Sequence, residues 1–493
     1  MRRLALLFVL LGAGPPAAWA APRLILVISV DQMRADFLDR GPYQGGLKTL
    51  KEGAVFTDAH HVHVPTETGP GHSVILTGRF PATTGIVGND WYDRALGRRM
   101  YVVEDSVHGK GPEHLQGYTL GDALKAKDPL SKVVSISLKD RSAILMAGKR
   151  PDAVLWLDRK AGGFATSGYY GARPAWLDAY NAMLKTPGAP LDSGTTEQFN
   201  NVLTTPVGDA MLRDLVKEVL ERYELGHDEH TDILAVSFSA PDYVGHEFGP
   251  DSPEMGVQLA ALDQVLADVL TQAEARAGKA GLDVVLTADH GVLPVPESAQ
   301  GRQLKARRIS EARFLAAVES TMQTLAPVPG RRWLLAANFP HLYLDRSLAG
   351  PKKLDWPSFL NQAAKALLGV DGVAQVYVPG AWPAADPYSD VFQRSYFPDR
   401  SGDLLVRLAP GVLPSDDYAV GTSHGAPYEY DTHVALVFWG PDFKPGVYKA
   451  KAEVADIAPT LGMLLGLDYP AAATATAHAE ALVLPTAPAE AKP

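Results

Sequence analysis

The run Leu24-Ile25-Leu26-Val27-Ile28-Ser29-Val30, closed by Asp31, constrains the chain more than any other stretch. Apolar residues in series, without alternation, leave no face for water, so they predict a strand covered on both sides, as in a parallel sheet between helices. Similar runs recur at Val133–Ile136, Ile233–Phe238, Val284–Thr287 and Val434–Phe438. Helical periodicity separates them. The clearest case places Met255, Leu259, Leu262, Leu266, Val269 and Ala273 on one face, behind Ser252 as N-cap and Pro253 in the first turn. The alternation predicts an α/β domain with a mostly parallel central sheet flanked by helices. In such sheets ligands gather at the carboxyl ends of strands. The polar residues just beyond these runs are Asp31, Asp242, Asp289 and His290.

The α/β rhythm breaks twice, at residues about 140–205 and about 295–420, which read as insertions forming a cap or side lobe on one domain spanning 21–470. The second holds short strands at Leu342–Leu344, Val373–Val378 and Leu404–Leu408, and a helix around Phe359–Leu368. Residues 471–493, dominated by Ala, Pro and Thr, read as a loosely packed tail. At the other end, Arg2 and Arg3 precede apolar Leu4–Leu11, and Ala18-Trp19-Ala20 follows. That order marks residues 1–20 as a signal peptide cleaved after Ala20; its apolar run falls short of the ~20 residues a membrane span needs. Cleavage leaves 473 residues and takes the formal charge from -10 to -12. The expected product is periplasmic or secreted, free of the membrane, with its oligomeric state unset.

Composition narrows the chemistry. The chain has no cysteine, which removes disulfides, thiolate metal sites and a Cys nucleophile. Its 46 Lys+Arg against 56 Asp+Glu disfavour a nucleic-acid backbone as partner. The residues left to hold metal are Asp and His, and they fall into local patterns: Asp31, Asp242 with His246, Asp289-His290, and His424 before Gly425. Three carboxylates and three imidazoles suit Zn²⁺ or a similar divalent ion. Asp242 and His246 would share a face of one helical turn. Singly, each Asp also reads as a helix N-cap. In His63-Val64-Pro65-Thr66-Glu67-Thr68-Gly69-Pro70-Gly71-His72, Thr68 lies at or just before a helix start. There it is either an N-cap or a hydroxyl nucleophile facing an anion held by free backbone N–H groups. His60, His61 and His63 read as polar loop residues leading into that turn.

Taken in order, Asp31, Pro65-Thr66-Glu67-Thr68-Gly69-Pro70-Gly71-His72, Asp242–His246, Asp289-His290-Gly291 and His424-Gly425 resemble the signature of the alkaline phosphatase superfamily. Within it the chain resembles the branch of nucleotide pyrophosphatases/phosphodiesterases and phosphate-irrepressible alkaline phosphatases, from about Leu24 to Leu467. The resemblance implies two Zn²⁺ per chain, one on Asp242, His246 and His424, the other on Asp31, Asp289 and His290 with Thr68 bridging to it. It implies Thr68 as the nucleophile that forms a phospho-threonine intermediate. Asn89, in Gly88-Asn89-Asp90, resembles the branch's donor to a phosphate oxygen, although Gly-Asn is also a common turn pair.

Lys139 and Arg141, after the run Val133–Ile136, sit two apart, so an extended chain would aim both one way. They resemble the Lys-x-Arg pair of the phosphate-irrepressible alkaline phosphatases. Two cations aimed at one phosphoryl group reward a monoester dianion over a diester monoanion. The resulting expectation is an exported alkaline phosphatase acting on small phosphate monoesters. The alternative is a nucleotide pyrophosphatase/phosphodiesterase; a non-catalytic binding protein of the same fold is a more remote one.

Overall fold

The computed structural model describes residues 21–350, 353–416, 421–467, 469 and 475–483. The expected signal peptide, and the tail apart from 475–483, lie outside these residues. Among the described residues the main sheet has nine strands. Seven come first: β1 (Leu24–Val30), β2 (Ala54–Phe56), β3 (Val133–Ser137), β4 (Ala153–Asp158), β5 (Gly163–Ala165), β6 (Asp232–Phe238) and β7 (Leu282–Thr287). The chain then builds a separate antiparallel sheet from β8 (Leu334–Asn338), β9 (His341–Leu344), β10 (Val373–Tyr377) and β11 (Leu404–Leu408). It returns to the main sheet as β12 (Val437–Trp439) and β13 (Gly446–Tyr448).

Across the main sheet the order is β5-β4-β3-β6-β1-β7-β12-β2-β13. The five contiguous strands β4, β3, β6, β1 and β7 are mutually parallel. The apolar run Val434–Phe438 enters the sheet only in its second half, as β12, and antiparallel to β7. All seven residues of β1 are buried, because helices cover both faces. The helices that matter for the site are α1 (Thr68–Thr77), α2 (Asp140–Ala147), α3 (Pro206–Arg222), α4 (Ala240–Phe248) and α5 (Pro253–Ala277). Helix α5 starts as its sequence dictates: the Ser252 hydroxyl accepts from Met255 N at 3.1 Å, with Pro253 in the first turn.

Residues 140–205 do not all leave the sheet. Strand β4 is the outermost parallel strand and β5 the antiparallel edge, so this stretch extends the main core. Further along, α6 (Glu311–Leu325) and α7 (Trp356–Leu367) pack Phe314, Val318, Phe359 and Leu367 around Trp333 in a second hydrophobic core, apart from that of the main sheet. The described part of the tail is packed, contrary to the expectation from its composition. After helix α8 (Ile457–Leu464), Leu482 is fully buried beside Phe443, and His478 Nε2 lies 3.1 Å from Asp456 Oδ2. Small Ala residues allow close approach here, and Asp456 also accepts from Thr476 N at 2.7 Å. Among the described residues no helix is long and apolar enough to cross a membrane.

Candidate active site

Parallel strands in register bring their loops to one edge. Val30 pairs with Phe238, and Ser29 with Thr287, so Asp31, the start of α4 and the turn Asp289-His290 emerge side by side. Helix α2 begins at the same edge, one strand further out. The four strand ends anticipated from the apolar runs therefore supply Asp31, Lys139, Arg141, Asp242, His246, Asp289 and His290 to one place.

Thr68 is the first residue of α1, and Glu67 takes the N-cap position without a side-chain capping bond. The Thr68 hydroxyl is thus not consumed by capping. It receives a hydrogen bond from Arg141 Nη2 at 3.3 Å. Asn89 Oδ1 accepts from Gly69 N at 2.7 Å, and Asn89 N donates to Glu67 Oε2 at 2.8 Å. Asn89 Oδ1 is thereby committed to the start of the helix that carries Thr68. Gly71 explains the close fit of α1: a Cβ there would stand 2.1 Å from the Asp289 carbonyl oxygen.

The first cluster is Asp242, His246 and His424, whose donor atoms lie within 4.8 Å of one another. Helix α4 carries Asp242 and His246 one turn apart, with His246 Nε2 at 3.3 Å from Asp242 Oδ1. His424 Nε2 lies 3.2 Å from His246 Nε2 and 3.6 Å from Asp242 Oδ1. His246 Nδ1 faces the Thr422 carbonyl at 2.9 Å, and His424 Nδ1 the Thr66 carbonyl at 2.7 Å. A carbonyl only accepts, so each Nδ1 carries its hydrogen and each Nε2 turns toward the other cluster members. Burial would raise the Asp242 carboxyl, but His246 and Lys139 beside it hold it well below the usual range. Burial pushes the His424 imidazole well down, and His290 and His246 push it further, which keeps it a neutral donor.

The second cluster brings in a residue that had no assigned role, His72. Three donor atoms that close on one another come from Asp31, Asp289 and His72, all fully buried, and His290 lies beside them. His72 is one turn after Thr68 in α1; its Nε2 lies 3.3 Å from Asp31 Oδ1 and its Nδ1 3.3 Å from Asp289 Oδ2. Burial lowers its basicity, but Asp31 and Asp289 outweigh that and push it up to about 9. His290 Nε2 approaches Asp289 Oδ2 at 3.2 Å, and its ring stacks on His424 with centroids 3.5 Å apart. Its Nδ1 is held by the Gly291 carbonyl at 2.9 Å. His290 thus stands between the clusters.

Lys139 joins the clusters. It is the N-cap residue of α2, and its buried Nζ lies 2.5 Å from Asp242 Oδ2 and 3.0 Å from Asp31 Oδ2. Lys139 and Arg141 converge on the centre because α2 starts between them, not through strand alternation. Only Arg141 of the pair reaches the Thr68 hydroxyl.

These residues fit divalent cations. Three buried carboxylates converge with four imidazoles, and buried charge of one sign is costly unless compensated. Asp289 Oδ2 and His290 Nε2 are buried without a hydrogen bond although they lie 3.2 Å apart. The Lys139 ammonium sets positive charge against Asp31 and Asp242.

Beyond His72, sequence reasoning missed a supporting layer. His61 and His63 are loop residues leading into the Thr68 turn, as expected, but both are buried, and His61 Nε2 donates to the Ala288 carbonyl at 2.8 Å, steadying the turn into Asp289. Asp431, also buried, accepts from Ala426 N at 2.8 Å, two residues after His424. Its backbone carbonyl accepts from Gly291 N at 2.7 Å. A Pro-Thr-Glu-Thr helix start with a His one turn later was a usable signal for His72; nothing local marked Asp431.

The chain is 32% identical to alkaline phosphatase PhoK of a Sphingomonas species, over 91% of this chain and 89% of that one. It is also 32% identical to alkaline phosphatase PhoD of Zymomonas mobilis, over 91% and 86%. The crystal structure of wild-type alkaline phosphatase PafA superposes with a TM-score of 0.86 at 28% identity, covering 94% of this chain and all of that one. The fold is therefore alkaline-phosphatase-like. The profile described as Type I phosphodiesterase / nucleotide pyrophosphatase matches residues 25–426, and the chain belongs to that family.

Proposed function

We propose that the chain is an exported phosphomonoesterase, an alkaline phosphatase holding two Zn²⁺, that releases inorganic phosphate from small organic monoesters. The observation that carries this reading is the Arg141 guanidinium 3.3 Å from the Thr68 hydroxyl, with the Lys139 ammonium at the same centre. One cation at the nucleophile and a second among the neighbouring carboxylates reward the doubly charged monoester. Relatives named as alkaline phosphatases support it over most of the chain. Export rests on the sequence of residues 1–20.

Asp242, His246 and His424 would hold one ion; Asp31, Asp289 and His290, with the Thr68 oxygen, the other, His72 lying against the second set. When bound, such ions stabilise the anionic oxygens that develop during phosphoryl transfer. Thr68 Oγ attacks phosphorus, the ester P–O bond breaks, and the phosphoryl group rests on Thr68. Water then hydrolyses the phospho-threonine and releases phosphate. Asn89 Nδ2 and Arg141 hold non-bridging oxygens, and the α1 N-terminus adds its free N–H groups. Lys139 adds positive charge at the centre that a diester does not need.

The test is a rate comparison on zinc-loaded protein with aryl phosphate monoester, aryl phosphate diester and aryl sulfate. The monoester should be cleaved fastest, with loss on chelation. A faster diester would replace this reading with that of a phosphodiesterase.

A further inference from the structure

A cavity of about 410 Å³ opens between the main sheet and the lobe. Glu67 and His424 line it together with Phe339, Leu408, Tyr428 and Tyr430. It touches the Asp242–His246–His424 cluster through His424, whereas Thr68, Asp31, His72 and Asp289 do not line it. That asymmetry gives the cavity a side. In an in-line displacement the leaving oxygen departs opposite the attacking one. With Thr68 attacking from the Asp31–Asp289 side, as proposed above, departure is toward His424 and this cavity.

The charges in its walls narrow what fits. Arg407 is bound to Asp386 at 2.6 Å and to the Tyr377 hydroxyl at 3.0 Å. Arg99 is bound to Asp90 at 2.7 Å. The carboxyl of Glu67 and the side chains of Glu311 and Asp431 also face the cavity. An anionic leaving group would meet carboxylates in the walls and two cations already neutralised, whereas an uncharged one would bury its surface on aromatic and aliphatic walls.

We propose that this cavity is the leaving-group subsite, and that it selects monoesters of uncharged alcohols with an aromatic or extended apolar body over substrates whose leaving group carries phosphate. The assignment rests on the phosphomonoesterase reading above. In the step concerned, the Thr68 hydroxyl gives up its proton to water as the Oγ–P bond forms and the ester P–O bond breaks. The departing alkoxide takes a proton back from water and leaves as the alcohol.

The test uses zinc-loaded full-length protein and two monoesters with similar alkoxide leaving groups, 2-phenylethyl phosphate and ethyl phosphate, with ATP as the anionic case. Wild type should favour 2-phenylethyl phosphate over both others in kcat/KM. Two variants fill the cavity from small lining residues, Ala409→Trp and Ala337→Phe. Each should lower the phenylethyl-to-ethyl ratio about tenfold or more, the scale of discrimination an apolar pocket gives. A wild-type ratio at or below one, an unchanged ratio in whichever variants fold, or a preference for ATP would overturn the assignment. If wild type cleaves bis(4-nitrophenyl) phosphate but neither monoester, the phosphomonoesterase reading itself falls and the assignment with it. If both monoesters are cleaved and only the ratio fails to respond, the cavity assignment alone falls.

Discussion

At the scale of single residues, the account turns on Thr68. Its hydroxyl is free of capping duty because Glu67 holds the N-cap position, and Arg141 points at it. Thr68→Ala should lower monoester turnover by roughly a thousandfold or more, with the fold intact by circular dichroism. Acid quench of wild type with substrate should trap phosphate on Thr68, detectable by peptide mass spectrometry; a trapped phosphate on another residue would displace Thr68 from this role. Most of the site's residues were legible because each followed an apolar run or sat in a distinctive short motif. His72 was not, although its motif was in view. Its importance depends on α1 packing so that position five of the helix falls between Asp31 and Asp289, a tertiary fact no local spacing states. The same holds for Lys139, whose side chain turns to the carboxylates because α2 starts there.

At the scale of elements, the site is set by how closely three helices approach the strand ends. Helix α1 lies so near the Asp289 turn that only glycine fits at position 71. Gly71→Ala should cost about 1–3 kcal/mol of stability from overpacking and weaken metal binding, read by denaturant melts and zinc titration; unchanged zinc affinity would show that α1 does not shape this cluster. Helix α4, which carries Asp242 and His246, is held at its first residue by Asp209 of α3. The carboxyl of Asp209 accepts from Ala240 N at 3.4 Å and from Gln258 Nε2 at 2.7 Å. Burial pushes this carboxyl up to about 8, against an ordinary value near ~3.9. Between those pH values the folded chain keeps a proton that the unfolded chain has lost, so this group's contribution to stability falls as pH rises through that window. Asp209→Asn should remove that slope, and the variant's melting temperature should gain on wild type between pH 5 and pH 8. A parallel decline in both would contradict the assignment. The element order itself was readable from the sequence. The direction of β12 was not, because an apolar run states burial and not polarity of pairing. The place of β4 and β5 was hidden by Gly, Pro and aromatic residues around them.

At the scale of the molecule, a chain of net charge -10 concentrates three buried carboxylates at one edge of its sheet. Divalent ions bound there should stabilise the folded state, by about 2.7 kcal/mol for each site at a hundredfold excess over its dissociation constant. Chelation should lower the melting temperature and zinc restore it; a melting temperature indifferent to zinc would contradict the metal assignment. The lobe of β8–β11 has a separate core and meets the main sheet at the cavity beside His424. Its existence could be read from the break in rhythm, but its position over the site could not. The central claim is that this edge is built for a phosphate dianion. Replacing Lys139 and Arg141 together by Ala in the zinc-loaded protein, and measuring kcat/KM for an aryl phosphate monoester and diester, tests it most directly. Each charged contact contributes about 1.5–3 kcal/mol. The account predicts a loss on the monoester of about a hundredfold or more and a much smaller loss on the diester, whereas equal losses on the two would contradict it.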